Sequence, residues 1–552
     1  MTRRTALALV LSIAAATAAE AQPAPVPPQA LAAAKAVTAA AISGPTRFLA
    51  SDLLEGRATS RPGEALAVAY LASEMESMGL EPAGPGGRWE QKFEVMALAS
   101  HVPERWTFET KGGQVSLKFW DEFIAATGKQ APSAAIASAE IVFAGYGITA
   151  PEYRWDDFKG ADVRGKVLLV LNNDPDWDDT LFAGTRRLYY GRWTYKYEEA
   201  ARHGAVGAII VHTTPSAGYG WPVVQNSWTG EQYELRSGGE PTIEVKAWTT
   251  EAATRKLLQA AGLDLDALTA SARSRDFRPV PLGIRTSLAI TSDVKRGEAA
   301  NVAGVLRGSD PKLRDEYVVF SAHHDHLGVG KPDASGDRIY NGARDNATGV
   351  AMVLAIARGF AALPERPRRS ILFLFVTGEE SNLLGSRYFA AHPTVPNDRL
   401  VADINFDSGN IFGRTRDVSQ VGRGKSDLDG VLDAVAALQD RVVTDEPFPD
   451  RGAFYRSDQF ALAKVGIPSL YFSSGVDYIG RPPDWGKKTG DAWRDAHYHQ
   501  PSDQMDPTWN WEGMVEDAQL GFLVGYAVAQ AERRPEWRPG DEFAHARPVT
   551  DK

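Results

Sequence analysis

The sequence of 552 residues contains no cysteine. That absence excludes disulfides, thiolate metal ligands, a cysteine nucleophile and a lipidated N-terminal cysteine, so any metal centre must draw on His, Asp and Glu. Beyond residue 22 no apolar run approaches the roughly 20 residues needed to cross a bilayer; the longest, such as Ile371 to Val376, are strand-sized. There is no basic stripe, and a formal net charge of -10 argues against a nucleic-acid partner. Histidine is also scarce, at ten in the whole chain. What is present is ordinary for a folded protein: 43% hydrophobic and 24% charged residues, in a chain long enough for two cores and a targeting segment.

The first residues place Arg3 and Arg4 before an apolar run from Ala6 to Ala16, and Ala19-Glu20-Ala21 offers a small-x-small cleavage site before Gln22. The pattern predicts a secretory signal peptide, too short to anchor in a membrane. Export is therefore expected, to the periplasm or the medium.

Pro23 to Pro28 reads as an extended spacer, followed by helices over Leu31 to Ala41, near Arg47 to Arg57 and near Gly63 to Met78. Between about Pro132 and Ala272, short strands such as Ala139 to Phe143 and Lys166 to Val170 alternate with turns. His203 and His212 lie here without close carboxylates and read as surface or packing residues. From about Ala300 the pattern becomes strand, loop, helix in repetition: Tyr317 to Ala322, Ser370 to Val376, Val401 to Phe406 and Pro468 to Phe472. Strands apolar at nearly every position are buried on both faces, which predicts an α/β sandwich around a mixed, mostly parallel sheet.

In such sheets, functional groups sit in loops beyond the carboxyl ends of the strands. His323, Glu379-Glu380 and Asp407 each follow one of these strands, Asp345 opens a helix, and His497-Tyr498-His499 falls in a late loop. Three of the ten histidines fall within His323 to His326. Clustering beside acids is a metal signature, with zinc the leading choice ahead of cobalt or manganese. The five residues His323, Asp345, Glu380, Asp407 and His499 exceed the three ligands of a mononuclear catalytic zinc and suit two ions about 3.5 to 4 Å apart that share a carboxylate. Asp325 is placed to orient His323. Glu379 and Glu380 diverge as neighbours, so one can bind metal while the other holds the proton of a water.

The spacing His323-x-Asp325, the block Ala343-Arg-Asp-Asn-Ala-Thr-Gly349, Glu379-Glu380, Asp407 and Tyr498-His-x-Pro-x-Asp503 resembles the aminopeptidase Y family of metallopeptidases. That family includes bacterial leucyl aminopeptidases and, more distantly, glutamate carboxypeptidase. The motifs span about residues 300 to 510 and are jointly specific. Asp52-Leu-Leu-Glu-Gly-Arg57 and Gly79-Leu-Glu-Pro-Ala83 are similar to helices that pack on the family's catalytic domain. The resemblance implies a three-layer, phosphorylase/hydrolase-like α/β sandwich and two zinc ions per chain. His323 and Asp407 would hold one ion, Glu380 and His499 the other, and Asp345 both. It further implies Glu379 as general base, acting on a metal-bridging water, and Tyr498 as the phenol that polarises the scissile carbonyl. The Asp345–Asn346 peptide would be cis.

Phe143-Ala-Gly-Tyr-Gly147, Val163-Arg-Gly-Lys-Val-Leu168 and Gly204-Ala-Val-Gly-Ala-Ile-Ile210 resemble a small β-rich protease-associated domain. The expected order is a signal peptide over 1–21, a Pro-rich spacer over 22–30, the start of the peptidase domain over 31–130, the insert over 131–285 and the catalytic domain over 286–540. Peptides are the expected partners. The expected activity is release of N-terminal amino acids. Arg344 and Arg456, able to hold a substrate carboxylate, keep a carboxypeptidase open. A single-zinc glutaminyl cyclase and a non-catalytic binding homologue stay open as well.

His324 and His326 have no role by spacing and read as surface or pocket-rim residues. His101, His392 and His545 read as solvated. Gln459, in Arg456-Ser-Asp-Gln-Phe460, stands where the family more often has His. Tyr189 to Tyr197 reads as a packing surface before a binding face.

Overall fold

The computed structural model describes residues 26–178 and 180–546. The leader and residues 22–25 of the Pro-rich spacer read from the sequence lie outside the described residues.

Four strands form the centre of the catalytic sheet, in the order Ser370–Val376, Tyr317–His323, Leu400–Asn405 and Ser469–Ser474, all parallel. Asp417–Val421 extends it antiparallel beyond Ser469–Ser474, and Val442–Asp445 follows. On the other side the strand Val280–Leu306 runs antiparallel to Ser370–Val376. The apolar runs fill two layers. Val318, Phe320, Ile371, Phe373 and Phe375 face a core shared with the helices Ala39–Leu49, Thr348–Ala361 and Glu512–Gln530. Tyr317, Val319, Leu372, Leu374 and Val376 face Phe389 and Leu462, on the helices Leu384–Ala391 and Gln459–Lys464. Successive strand residues point to opposite faces, so a strand covered on both sides must be apolar throughout. Each large side chain buried this way contributes roughly 1.5–3 kcal/mol.

The alanine-rich N-terminal stretch breaks into two helices, Pro28–Ala34 and Ala39–Leu49. The second carries on to Leu49, so Asp52–Arg57 is only a 3-10 turn.

A second sheet lies in the chain between the N-terminal helices and the catalytic strands. Its order is Phe123–Thr127, Val245–Thr250, Gly207–His212, Val167–Leu171 and Ser133–Phe143. Its last neighbour is the first half of Val280–Leu306. That 27-residue strand serves both sheets, and the division at 285/286 falls inside it. From Thr291 to Val302 it also pairs with Glu90–His101, so a two-stranded ribbon ties the two halves together.

Candidate active site

His323, Glu379, Glu380 and Asp407 lie at or just beyond the ends of central strands, Asp345 precedes the helix Thr348–Ala361, and His499 follows the helix Trp485–His497. His323 is the last residue of its strand, and the chain beyond it is fixed by the bond from His324 N to the Val376 carbonyl. Asp325 then turns back: its carboxylate accepts from the backbone N–H of Glu379 at 3.1 Å and of Glu380 at 3.4 Å, while Oδ1 lies 3.6 Å from His323 Nδ1. The His323 loop and the Glu379–Glu380 loop are thereby one unit.

Asp345 lies in an irregular turn before the helix Thr348–Ala361, and its bond to Asn346 is cis. Asp503 secures that turn, accepting from Arg344 N at 2.9 Å and Asp345 N at 3.0 Å. Asn346 Oδ1 accepts from Gly349 N and Ser408 N, both at 3.0 Å. A Cβ at position 349 would collide with Asn346 Oδ1, so only glycine admits this contact. Arg57 lies fully buried beneath the site and donates to the carbonyls of His324, Asn341 and Gly342 at 2.8, 2.6 and 3.0 Å.

These supports bring the predicted side chains together. His323 Nε2 lies 3.3 Å from Asp345 Oδ1 and 3.6 Å from Asp407 Oδ1. His499 Nε2 lies 3.4 Å from Asp345 Oδ2 and 3.1 Å from Glu380 Oε2. Asp345 therefore offers one oxygen to each side. Burial works against charge on both imidazoles, but the surrounding carboxylates outweigh it. Glu379 and the hydrogen-bonding Asp325, Asp345 and Asp407 hold His323 well above the usual imidazole range; Glu380 and Asp345 lift His499 to about 9. Burial, with the charges of Glu380, Asp407 and Asp458, pushes the Glu379 carboxyl well above the usual carboxylate range, with His323 opposing.

Buried polar atoms that lack hydrogen-bond partners mark what the site is built for. His323 Nε2, His499 Nε2, both ring nitrogens of His326 and Glu380 Oε1 have none. Such atoms are costly unless something binds them. One ligand atom each from His323, Asp345 and Asp407 lie within 4.8 Å of one another, as do those of His326, Asp345 and Glu380. The donor set of imidazoles and carboxylates fits zinc.

One expectation is overturned here and one is refined. His324 and His326 are buried, at 0% and 2% exposed; His324 is neither a surface nor a rim residue, whereas His326 lines a cavity together with Glu380. His324 Nε2 lies 3.1 Å from the Ala300 carbonyl. His326 Nδ1 approaches Glu380 Oε1 at 2.7 Å without the alignment of a hydrogen bond. It is the site residue that sequence reasoning missed, and its place among three clustered histidines was the available signal. Gln459 is buried away from the cavity, donating to the Phe454 carbonyl and accepting from Asn405. His101, His392 and His545 are exposed. His203 stacks on Phe158 and, contrary to expectation, has a close carboxylate, with Nε2 3.1 Å from Glu199 Oε1; His212 Nε2 meets the Tyr219 carbonyl.

Tyr498 stacks on the His499 ring at 3.9 Å between centroids and accepts at Oη from Arg456 at 3.4 Å. Two cavities meet these groups. One of about 830 Å³ has Glu379, Glu380, Tyr498 and His499 on the catalytic side, and Trp193 and Trp228 on the other. Trp193 and Tyr197 thus present part of the aromatic stretch to the cleft, while Tyr195 packs in the core. A second cavity of about 260 Å³ adjoins Asp345, Glu379 and Asp407 and is lined by Arg344, Arg451, Arg456 and Arg494. Among the described residues no helix is long and apolar enough to cross a membrane.

Residues 301–522 match the sequence model of Peptidase family M28. A probable zinc metalloprotease of Pyrenophora teres f. teres is 36% identical over 106 residues, 19% of this chain and 22% of that protein. A probable leucine aminopeptidase 2 of Aspergillus oryzae is 26% identical over 230 residues, 40% of this chain and 43% of that protein. The chain thus spans less than half the length of these curated relatives. In overall fold the chain is similar to an aminopeptidase from Aneurinibacillus sp. strain AM-1, with a TM-score of 0.53 at 20% identity over 94% of this chain and 98% of that one. The central parallel strands, the loops that end them and the acids and imidazoles they carry all fall inside residues 301–522, the segment that matches Peptidase family M28.

Proposed function

We propose that the protein is a two-zinc aminopeptidase that releases N-terminal amino acids from peptides. The observation that carries this reading is the pair of donor groups joined by Asp345: His323 and Asp407 on one side, Glu380 and His499 on the other. Zinc held there supplies Lewis acidity and a water that ionises near neutral pH. The chain's own residues would do the rest. Glu379, with a carboxyl lifted by burial, takes a proton from the attacking water as its oxygen bonds to the peptide carbon, and returns that proton to the amine as the C–N bond breaks. Tyr498 donates its phenolic proton in a hydrogen bond to the carbonyl oxygen as negative charge builds there. Burial and Asp345 and Glu380 keep that phenol protonated, against the nearby Arg456.

A second reading, a carboxypeptidase, is favoured by one observation: the four arginines of the smaller cavity. Arg451 is paired with Asp491 at 2.7 Å, whereas Arg344, Arg456 and Arg494 lie over the rings of Trp493, Tyr219 and Tyr498, which leaves these three as the candidates to hold a substrate carboxylate. Rates on leucyl p-nitroanilide and on N-acylated dipeptides separate the two. Cleavage of the nitroanilide with no action on blocked peptides is expected; the reverse pattern would establish the carboxypeptidase.

The insert over 131–285 is proposed as a wall that limits substrate size, and an insert-deleted variant with unchanged activity on long peptides would count against it. Export is part of the proposal: the N-terminus of protein recovered from periplasm or medium is expected at Gln22, and an intact Met1 there would contradict it.

A further inference from the structure

The β-rich insert reaches the metal centre directly. Its helix Trp221–Ser227 ends against the loop that carries His499, and Ser227 Oγ lies 2.7 Å from His499 Nδ1. Next to it, Asn226 Nδ2 donates to the His499 carbonyl at 3.0 Å and to Gln500 Oε1 at 3.1 Å. The helix is itself anchored: the Trp221 indole and the Gln225 amide both donate to the Trp120 carbonyl at 2.9 Å. Tyr498, the neighbour of His499, packs on the insert core that includes Trp248 and is flanked by Trp228.

We infer that Ser227 is a positioning residue for His499, so that one side of the metal centre is completed by the insert; this rests on the two-zinc reading above. The argument is one of tautomers. His499 Nε2 points at Glu380 and Asp345 and must keep its lone pair to bind a metal, so the ring proton belongs on Nδ1. Nδ1–H then needs an acceptor, and the Ser227 hydroxyl oxygen is the one the structure supplies. Metal-binding imidazoles depend on such an acceptor for ring orientation and basicity. The backbone makes the dependence sharper. His499 has φ +55°, a left-handed conformation that a side-chain-bearing residue rarely adopts without support, and its carbonyl is held by Asn226 from the same helix. His323 has no counterpart in the insert; its Nδ1 faces Asp325 within its own loop.

Zinc affinities of the metal-free full-length chain, measured by competition with a chromogenic chelator, test the assignment for wild type, Ser227→Ala and Ser227→Thr. In Ser227→Ala one of the two ions is expected to bind about 10- to 100-fold more weakly and the other to be unchanged. Ser227→Thr, which keeps the hydroxyl, restores the weakened ion. Melting temperatures serve as the folding control. Two ions held by Ser227→Ala as tightly as by wild type would overturn the role of Ser227 alone. Weakening of both ions alike, or no rescue by threonine, would mark a general loosening of the insert and overturn it as well. A wild-type chain that binds fewer than two zinc ions would overturn the two-zinc reading and this inference together.

Discussion

The two sides of the metal centre are built differently. The side of His323 and Asp407 grows out of the central sheet: His323 closes a strand and is 1% exposed at its side chain, and the Asp407 carbonyl is held by Tyr471 Oη at 3.1 Å from a neighbouring strand. The side of Glu380 and His499 hangs on loops, with His499 in a left-handed turn and held by residues of the insert. A strand end inside a fully buried sheet cannot shift without disturbing the core, whereas a loop keeps its place only through the contacts made to it. On the proposed two-zinc reading, the ion held by His323 and Asp407 is therefore expected to be the tighter one.

The largest effect is expected where the two sides meet. Asp345→Ala removes the shared carboxylate, so both zinc ions and at least 10²- to 10⁴-fold of the turnover should be lost; full zinc content in that variant would contradict the shared role. Glu379→Gln separates chemistry from binding. Turnover should fall about 10²- to 10⁴-fold while zinc content stays at the wild-type level, and a zinc-loaded variant with normal turnover would remove Glu379 as base. Single-ligand variants sharpen the comparison further. His499→Ala should lose one ion and keep the other, whereas His323→Ala should strip the tighter ion, seen as a larger loss in stepwise chelator titration.

Acid should also divide zinc binding from folding. His323 and His499 hold protons more tightly in the metal-free protein than a free imidazole does, and these protons must leave before zinc binds. Apparent zinc affinity is thus expected to rise with pH up to about 9 and to fall steadily below it. For the metal-free fold the sign is opposite. A raised imidazole pKa contributes stability that is complete below the unfolded value of about 6.5 and is lost as pH rises toward 9. Thermal melts of chelated protein at pH 6 and pH 9 check this; a higher melting temperature at pH 9 would contradict it.

The smallest effect concerns an acid behind the site. Burial pushes the Asp403 carboxyl up to about 7, with one oxygen bonded to Ser321 and the other without a partner. The cost is absent below its unfolded value of 3.8 and complete above about 7. Asp403→Asn should raise stability by on the order of 1–2 kcal/mol at pH 8 and have no such effect at pH 4; equal shifts at both would be the contrary result.

Most of this architecture is legible in the sequence because buried parallel strands leave a strong mark. Ile371 to Val376 is apolar at every position, and the acids and histidines begin where such runs stop. Residues whose role depends on long-range meetings leave no mark. Ser227 and His499 are 272 residues apart, and nothing in Trp-Pro-Val-Val-Gln-Asn-Ser announces a clamp on an imidazole. His326 escapes sequence reasoning for a related reason. Strand periodicity ends at His323, and the turn after it folds His326 inward against the Gly342 turn, where a Cβ on residue 342 would collide with its ring. The strand over Val280–Leu306 goes unread in the sequence, because its two halves have different neighbours and alternate differently.

Zinc content per chain of the purified protein, measured by elemental analysis together with leucyl nitroanilide hydrolysis before and after chelation, tests the central claim most directly. Two zinc ions per chain, with activity lost on chelation and restored on adding zinc back, is the predicted result; one ion, or hydrolysis that survives removal of the metal, would contradict it.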